Sequence, residues 1–268
     1  MYQAIIDEMN PILEQHAEDS DFITAFARGM MIFQILSVSQ RPMTISDIAK
    51  VTSFPRATVR RGLYTLLQLG YVIQEDRYYE LSSKILTLAH SYLASQSLPN
   101  IAQPILENMA REANAPASMA ILVHNEIIYI ARASVNNGRI IADTLTIGSH
   151  LPAYCSSMGR VLLAAEPTEK QLEILNKSQL RPYTEHTIYE IEALLKKFDE
   201  VKTQGYALIN QELEIGLYSI AVPVFDKSGH TVAALNINIH SLQQQADEVV
   251  ANNLPILQRA ANLLTSFI

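Results

Sequence analysis

Residues 44–70 constrain the fold of this chain more than any other stretch. Thr44 to Phe54 and Pro55 to Gly70 form two short helical patterns separated by a tight polar break at Thr52 and Ser53. In the second, Val59, Leu63, Leu66 and Leu67 recur at the spacing of one helix face. Arg56, Arg60, Arg61 and Tyr64 lie on its other faces, with the small Ala57 and Thr58 among them. A short helix that buries one stripe and presents guanidinium groups beside small side chains suits the DNA major groove. Ser53 and Pro55 serve as start signals for that helix, since proline is tolerated in a first turn.

Tyr71 to Ser82 then gives two β-favouring runs around a charged turn that contains Arg77. A hairpin directly after such a helix makes a winged helix-turn-helix. Upstream, Phe22, Ala25, Phe26, Met30, Phe33, Ile35 and Leu36 supply a first helix for a three-helix core. The competing reading is a chance helix pair with solvated arginines. Charge distribution favours the first reading. Residues 21–90 hold eight Lys or Arg against five Asp or Glu, whereas the whole chain carries −7. Positive charge is concentrated where phosphates would be met, and the acidic remainder is expected to face away from DNA.

At 268 residues two domains of ordinary size are expected. Apolar residues make up 49% and charged residues 18%, which supports substantial cores instead of extended disorder. No apolar run approaches the ~20 residues needed to span a bilayer. The first twenty residues carry five acids and no base, unlike a cleavable leader. The single Cys155 fits a reducing compartment, so a cytoplasmic location is expected.

The expected organisation is an arm over residues 1–20, a winged helix-turn-helix over 21–82, a linker helix over 83–98 and a further domain over 99–268. The arm is expected to be short and either flexible or helical. Pro104 falls in the opening turns of a helix running to Asn114. Strands are expected over Met119–Val123, Ile127–Ile130, Arg139–Leu145, Ser219–Phe225 and Thr231–Ile239. Helices are expected over Tyr154–Ala164, Thr168–Asn176, Ile188–Gln204 and Leu242–Phe267, the last around Pro255. The fold class is therefore α+β, with an antiparallel sheet flanked by helices in the C-terminal part, a common receptacle for a small ligand.

Asn236 and Asn238 are two apart on a strand, so both amides share one face while Ile237 points the other way. Polar groups on an inward face are costly without partners, so a polar ligand or water is expected there; an exposed sheet face is the alternative. Ser156 and Ser157 at a helix start offer hydroxyls and free backbone amides for a carboxylate. Arg132 is either a second carboxylate anchor or an ordinary surface strand residue. An enzyme is a competing class, with Cys155 as a nucleophile at a helix start. No His or acid stands in a partner motif, the seven His lack metal-ligand spacing, and nine Gly form no phosphate loop. A buried structural Cys is the simpler reading, and neither a metal nor a cofactor is expected. A third class is a ligand-binding module whose helix pair serves protein contacts.

His150 to Ala164, Gly205 to Gly216 with Ser219 to Val224, and the segment up to Gly70-Tyr71 resemble, in order, signatures of the IclR family of bacterial transcription regulators. The resemblance covers residues 21–268 and leaves residues 1–20 outside it. Ala25 to Gly29, Ser91 to Ser95 and Tyr183-Thr184 are similar to the branch that senses protocatechuate and 4-hydroxybenzoate. The resemblance implies an effector pocket lined by Ile140, Asp143, Tyr154, Ser157, Met158, Ile209, Leu217, Ser219, Asn236 and Asn238. Where the family often places an acidic or small polar group, Ile209 is apolar here, which favours a partly apolar ligand such as an aromatic ring. The implied partners are double-stranded operator DNA and a small carboxylate. The chain is expected to form a homodimer or a dimer of dimers, and to contact RNA polymerase if it activates.

Overall fold

The computed structural model describes residues 2–95, 97–134, 145–240 and 245–268. It divides into two compact units, residues 1–92 and 93–268.

The first unit begins with α1 (Tyr2–Gln15) and α2 (Thr24–Ser37). A two-residue β1 (Met43–Thr44) leads into α3 (Ile45–Thr52), then α4 (Arg56–Gln68). The hairpin strands β2 (Val72–Glu75) and β3 (Tyr78–Leu81) complete a three-stranded antiparallel sheet of order β1-β3-β2. Helix α5 (Ile85–Ser95) follows.

Thr44 starts α3 with a reciprocal cap: its hydroxyl accepts from the Asp47 N–H at 3.2 Å, and Asp47 accepts from the Thr44 N–H at 2.9 Å. Ser53 ends α3 in a left-handed conformation, φ 59°. It therefore closes α3 and does not open α4; Pro55 alone stands at the α4 N-cap. Gly70 ends α4 at φ 78°, a turn in which the Tyr71 N–H reaches the Leu66 carbonyl at 3.0 Å and the chain reverses into the wing.

Val59, Leu63 and Leu66 are buried against Ile32, Ile35, Leu36 and Ile48, each side chain contributing about 1.5–3 kcal/mol by leaving water. The α2 face departs from expectation. Ala27, Met31, Ile32, Ile35 and Leu36 are buried, whereas Ala25, Phe26 and Met30 are exposed and Phe22 and Phe33 half-buried. The acidic arm is helical over α1, and its Tyr2 and Ile5 pack on the same core. Tyr2 also donates its hydroxyl to Ser39 Oγ at 3.2 Å.

The second unit holds α6 (Ser97–Ala113), β4 (Ala117–Val123), β5 (Glu126–Ala133) and β6 (His150–Pro152). A 3-10 turn over Ala153–Cys155 precedes α7 (Ser157–Ala164), α8 (Thr168–Asn176) and α9 (Ile191–Gln204). The chain ends with β7 (Ala207–Asn210), β8 (Leu217–Phe225), β9 (Thr231–His240) and α10 (Ala246–Thr265). The six strands form one antiparallel sheet of order β6-β5-β4-β9-β8-β7.

Helices α6 and α10 cover one face through Leu106, Met109, Leu257 and Leu264. Helices α7, α8 and α9 cover the other through Met158, Leu163, Leu175 and Phe198. Strands β6 and β7 were not anticipated; each is only three or four residues long. The strand expected over residues 139–145 lies almost wholly outside the described residues. Helix α7 begins at Ser157 and not at Tyr154, because Pro152 turns the chain into a 3-10 turn first. Helix α9 begins at Ile191, three residues after the expected start.

Candidate functional site

The exposed side of α4 carries Arg56, Ala57, Arg60, Arg61 and Tyr64, with Thr58 half-buried and Ser53 exposed in the preceding turn. Arg56 and Arg60 are one helical turn apart and so stack on one side of the helix. The N-terminal end of α4, the start of α3 and the wing enclose an open groove lined by Arg41, Arg56 and Arg77. Arg77 stands in the two-residue turn between β2 and β3, its guanidinium 5.3 Å from the Tyr78 ring centre. Asp47 shares the groove, but the Thr44 hydroxyl and N–H occupy its carboxylate and hold it below the usual carboxylate range. Its charge therefore serves the α3 cap.

The second site lies between the sheet and α7. Two rows of cross-strand neighbours run across its floor and the sheet beside it. Ile209, Ser219 and Asn238 are paired across β7, β8 and β9, and Asn236, Ser118 and Arg132 across β9, β4 and β5. Ile127 and Tyr129 extend the floor along β5. Leu151, Ser156, Ser157 and Met158 form one wall, and Leu213, Glu214 and Leu217 the other, with Leu145 at the edge. The enclosed space is about 40 Å³.

The polar groups in this pocket are linked. Ser157 Oγ lies 2.6 Å from Ser219 Oγ, and Asn236 Nδ2 donates to Ser219 Oγ and to Asn238 Oδ1, both at 3.1 Å. Asn236 is 1% exposed, and its Oδ1 has no hydrogen-bond partner among the described residues. A buried acceptor left in this state costs roughly 1–3 kcal/mol until a donor arrives. Ser156 caps α7, its Oγ accepting from the Gly159 N–H at 3.2 Å, so the positive end of the helix opens at Ser157 and Met158. Burial pushes the Tyr129 hydroxyl up to about 12, so it stays a donor at neutral pH.

Eight of the residues named from sequence thus converge: Ser156, Ser157, Met158, Ile209, Leu217, Ser219, Asn236 and Asn238. Ile140 and Asp143 lie outside the described residues. Tyr154 is directed elsewhere: its hydroxyl donates to the Arg181 carbonyl at 2.7 Å and accepts from the Arg181 N–H at 3.1 Å, which fixes the segment after α8. Arg132 is half-buried on the pocket face, next to the lining and not within it. Its Nη1 donates to Ser118 Oγ at 3.1 Å, and its guanidinium lies 5.9 Å from the Tyr129 ring centre. Cys155 is fully buried and its thiol is pushed up to about 12 by burial, so it remains protonated and is not an activated nucleophile.

Sequence reasoning missed Arg160 and Glu212. Both are almost fully buried and joined in a bidentate pair, Nη1 to Oε1 at 2.8 Å and Nη2 to Oε2 at 2.6 Å. It also missed Tyr129, which alternation with Ile127 could have shown.

A winged helix joined to a sheet-and-helix unit that holds a small, largely apolar pocket with a few linked polar groups defines a DNA-binding regulator controlled by a small molecule. Residues 25–76 match the IclR helix-turn-helix domain, and residues 90–265 match the bacterial transcriptional regulator IclR C-terminal domain. The chain belongs to the IclR family of bacterial transcriptional regulators. It is 42% identical over 243 residues to the Pca regulon regulatory protein of Pseudomonas putida, covering 91% of this chain and 83% of that one. It is 30% identical over 262 residues to the p-hydroxybenzoate hydroxylase transcriptional activator of Acinetobacter baylyi, covering 97% of each. Among solved structures, the inducer-binding domain of a double mutant of the PobR transcription factor from Acinetobacter, in complex with 3-hydroxybenzoic acid, is 31% identical. It superposes with a TM-score of 0.60, covering 65% of this chain and all of that domain. Among the described residues no helix is long and apolar enough to cross a membrane.

Proposed function

We propose that this chain senses a hydroxylated aromatic carboxylate in the pocket beneath α7 and adjusts operator binding or activation in response. The observation that carries this reading is Asn236 Oδ1, without a partner among the described residues, in a pocket whose apolar lining includes Ile127, Tyr129, Leu151, Met158 and Ile209. A ring fits the apolar walls, a ring hydroxyl supplies the donor that Asn236 lacks, and a carboxylate suits the N-terminal end of α7. The similarity to the Pca and p-hydroxybenzoate regulators, and to the 3-hydroxybenzoic acid complex, supports the same class. The present space of about 40 Å³ holds one or two waters. In this reading a ring enters as the lining adjusts around it, and an effector that fits one arrangement of the domain better than another shifts the equilibrium between them.

In this reading Arg56, Arg60 and the small Ala57 and Thr58 meet base edges. Ser53, Arg61, Tyr64 and Arg77 meet backbone phosphates. The chain acts as a homodimer or dimer of dimers, because one recognition helix reads too few base pairs for useful specificity. RNA polymerase becomes a further partner where the effector-bound form activates. A cytoplasmic location follows from a DNA target.

A thermal-shift screen against 3- and 4-hydroxybenzoate, protocatechuate, benzoate, quinate, shikimate and short aliphatic acids tests the reading. A ligand at 100 times its Kd adds about 2.7 kcal/mol of stability. A shift with a hydroxybenzoate that exceeds the shift with benzoate is the expected result. A shift with aliphatic acids alone removes the aromatic assignment, and silence throughout removes the pocket.

Arg132 gives a second test. Burial draws its guanidinium below the ordinary value, and the row Arg132–Ser118–Asn236 puts it in the same cross-strand row as Asn236, which lines the pocket. As a second carboxylate anchor it contributes a charged hydrogen bond, roughly 1.5–3 kcal/mol. Arg132→Ala is expected to abolish the effector response and leave operator binding intact. A normal response in that variant removes Arg132 from the site.

A further inference from the structure

The two walls of the pocket come from distant parts of the chain. One is the start of α7, Ser156 to Met158. The other is the loop between β7 and β8, which contributes Leu213 and Glu214, together with Leu217 at the start of β8. Arg160 and Glu212 connect them. Arg160 lies one turn into α7, and its Nε donates to the Tyr154 carbonyl at 3.0 Å, just before the Ser156–Ser157 wall. Its two terminal nitrogens hold Glu212, the residue immediately before Leu213 and Glu214.

Glu212 is fixed from a third side as well. Its Oε2 accepts from the Ile188 N–H at 2.9 Å and its carbonyl from Thr187 Oγ1 at 2.5 Å. Gln211, at φ 57°, carries the chain out of β7, and its side chain receives the Gly216 N–H at 2.8 Å. The loop thus closes on itself and is attached to the domain at Glu212. Glu212 faces the Arg160 cation, with Lys197 on α9 contributing a weaker attraction.

From this geometry we infer that Arg160 and Glu212 are positioning residues for effector recognition. Their ion pair sets the separation between the Ser156–Met158 wall and the Leu213–Leu217 wall. The inference rests on the pocket assigned above and adds what fixes its width. A planar fork held by two carboxylate oxygens and a backbone carbonyl allows little sliding, so the walls keep one spacing. A buried ion pair is weak as a source of stability, because an apolar pair of similar volume often serves equally well. Its value here is the register it imposes.

That distinction makes the inference testable in the full-length protein. Arg160→Met/Glu212→Leu replaces the pair with apolar side chains and also leaves the Tyr154 carbonyl and the Ile188 N–H without these partners, so a modest fall in thermal midpoint is expected while the fold is kept. Amide hydrogen exchange at Ile188 and across residues 211–217 is expected to quicken about tenfold or more, because the loop has lost its side-chain attachment and keeps only the bonds from Thr184 and Thr187 to its backbone. The Kd for 4-hydroxybenzoate is expected to rise by about tenfold, the equivalent of one charged contact. If the double variant fails to fold, Arg160→Lys keeps the charge, gives up the fork and the tie to Tyr154, and is expected to show the same two changes on a smaller scale. Parent-like exchange in a folded variant overturns the inference, as does an unchanged Kd. A parent protein that binds no hydroxybenzoate removes the proposed ligand, while the exchange measurement still decides whether the pair holds the loop.

Discussion

Gly159→Ala is expected to cost the C-terminal unit about 3 kcal/mol or more, at the upper end of what overpacking does to a well-packed site. Gly159 has ordinary helical dihedrals, so its requirement is for space and not for backbone freedom. A Cβ there would fall within the radii of the Ala153 carbonyl oxygen and Cα, and close against Ser156 Oγ. Two of these contacts are backbone and cannot rotate away. Helix α7 would have to lift from the Ala153–Cys155 turn, taking with it the Ser156 cap and the Ser157 hydroxyl that bridges to Ser219. For a unit of this size the loss corresponds to a fall in Tm of roughly 6–12 °C. The residues of the first unit lie outside this clash, so operator binding measured below the transition is expected to survive while the effector response disappears. Denaturation followed by circular dichroism, with effector titration below the midpoint, checks both parts. A midpoint within a degree of the parent would show that α7 can shift without penalty, and the pocket's Ser156–Met158 wall would then not be rigid.

The same region shows how far the sequence reaches. Asn236 and Asn238 were legible because a strand's period of two needs no partner to be read. The α4 stripe and the hairpin were legible because their signals are local. The α2 face was not, since Phe26, Ala27, Met30, Met31, Ile32 and Phe33 leave hardly a polar position to mark the exposed side. Packing selects Ala27, Met31 and Ile32 there, and Phe26 is left exposed.

Arg132 illustrates a different limit. Simple alternation places Tyr129 and Arg132 on opposite faces of β5. The register slips between Met119 and Ala120, so Ile130 is an extra residue and both side chains arrive on the pocket face. Such a bulge leaves no mark in one strand read alone. Arg160 and Glu212, fifty-two positions apart, leave even less, because only the folded chain brings them together. Local periodicity therefore recovers elements and faces, while register and long-range polar pairing belong to the tertiary structure.

Arg56 and Arg60 carry the other large expected effect, and they test the first unit independently of any ligand. Both are exposed beside the buried stripe of Val59, Leu63 and Leu66 and are not part of it, so truncating them leaves the core of the winged helix intact. If each reads a base through its fork, Arg56→Ala and Arg60→Ala each weaken operator binding by about 1–3 kcal/mol. The two together are then expected to lower affinity by about a hundredfold or more. The operator is first obtained by selection from random duplexes, and affinities are compared at fixed salt, since phosphate contacts alone can mimic a loss at a single condition. Arg61→Ala and Arg77→Ala are the contrast. As phosphate contacts they should weaken all sequences about equally and flatten the salt dependence by about one unit each. The two patterns separate reading from holding. Selectivity lost at Arg56 or Arg60, with the salt slope kept, places α4 in the major groove. An operator affinity unchanged by either substitution removes α4 as the recognition helix, and the groove between α4 and the wing would then serve another partner.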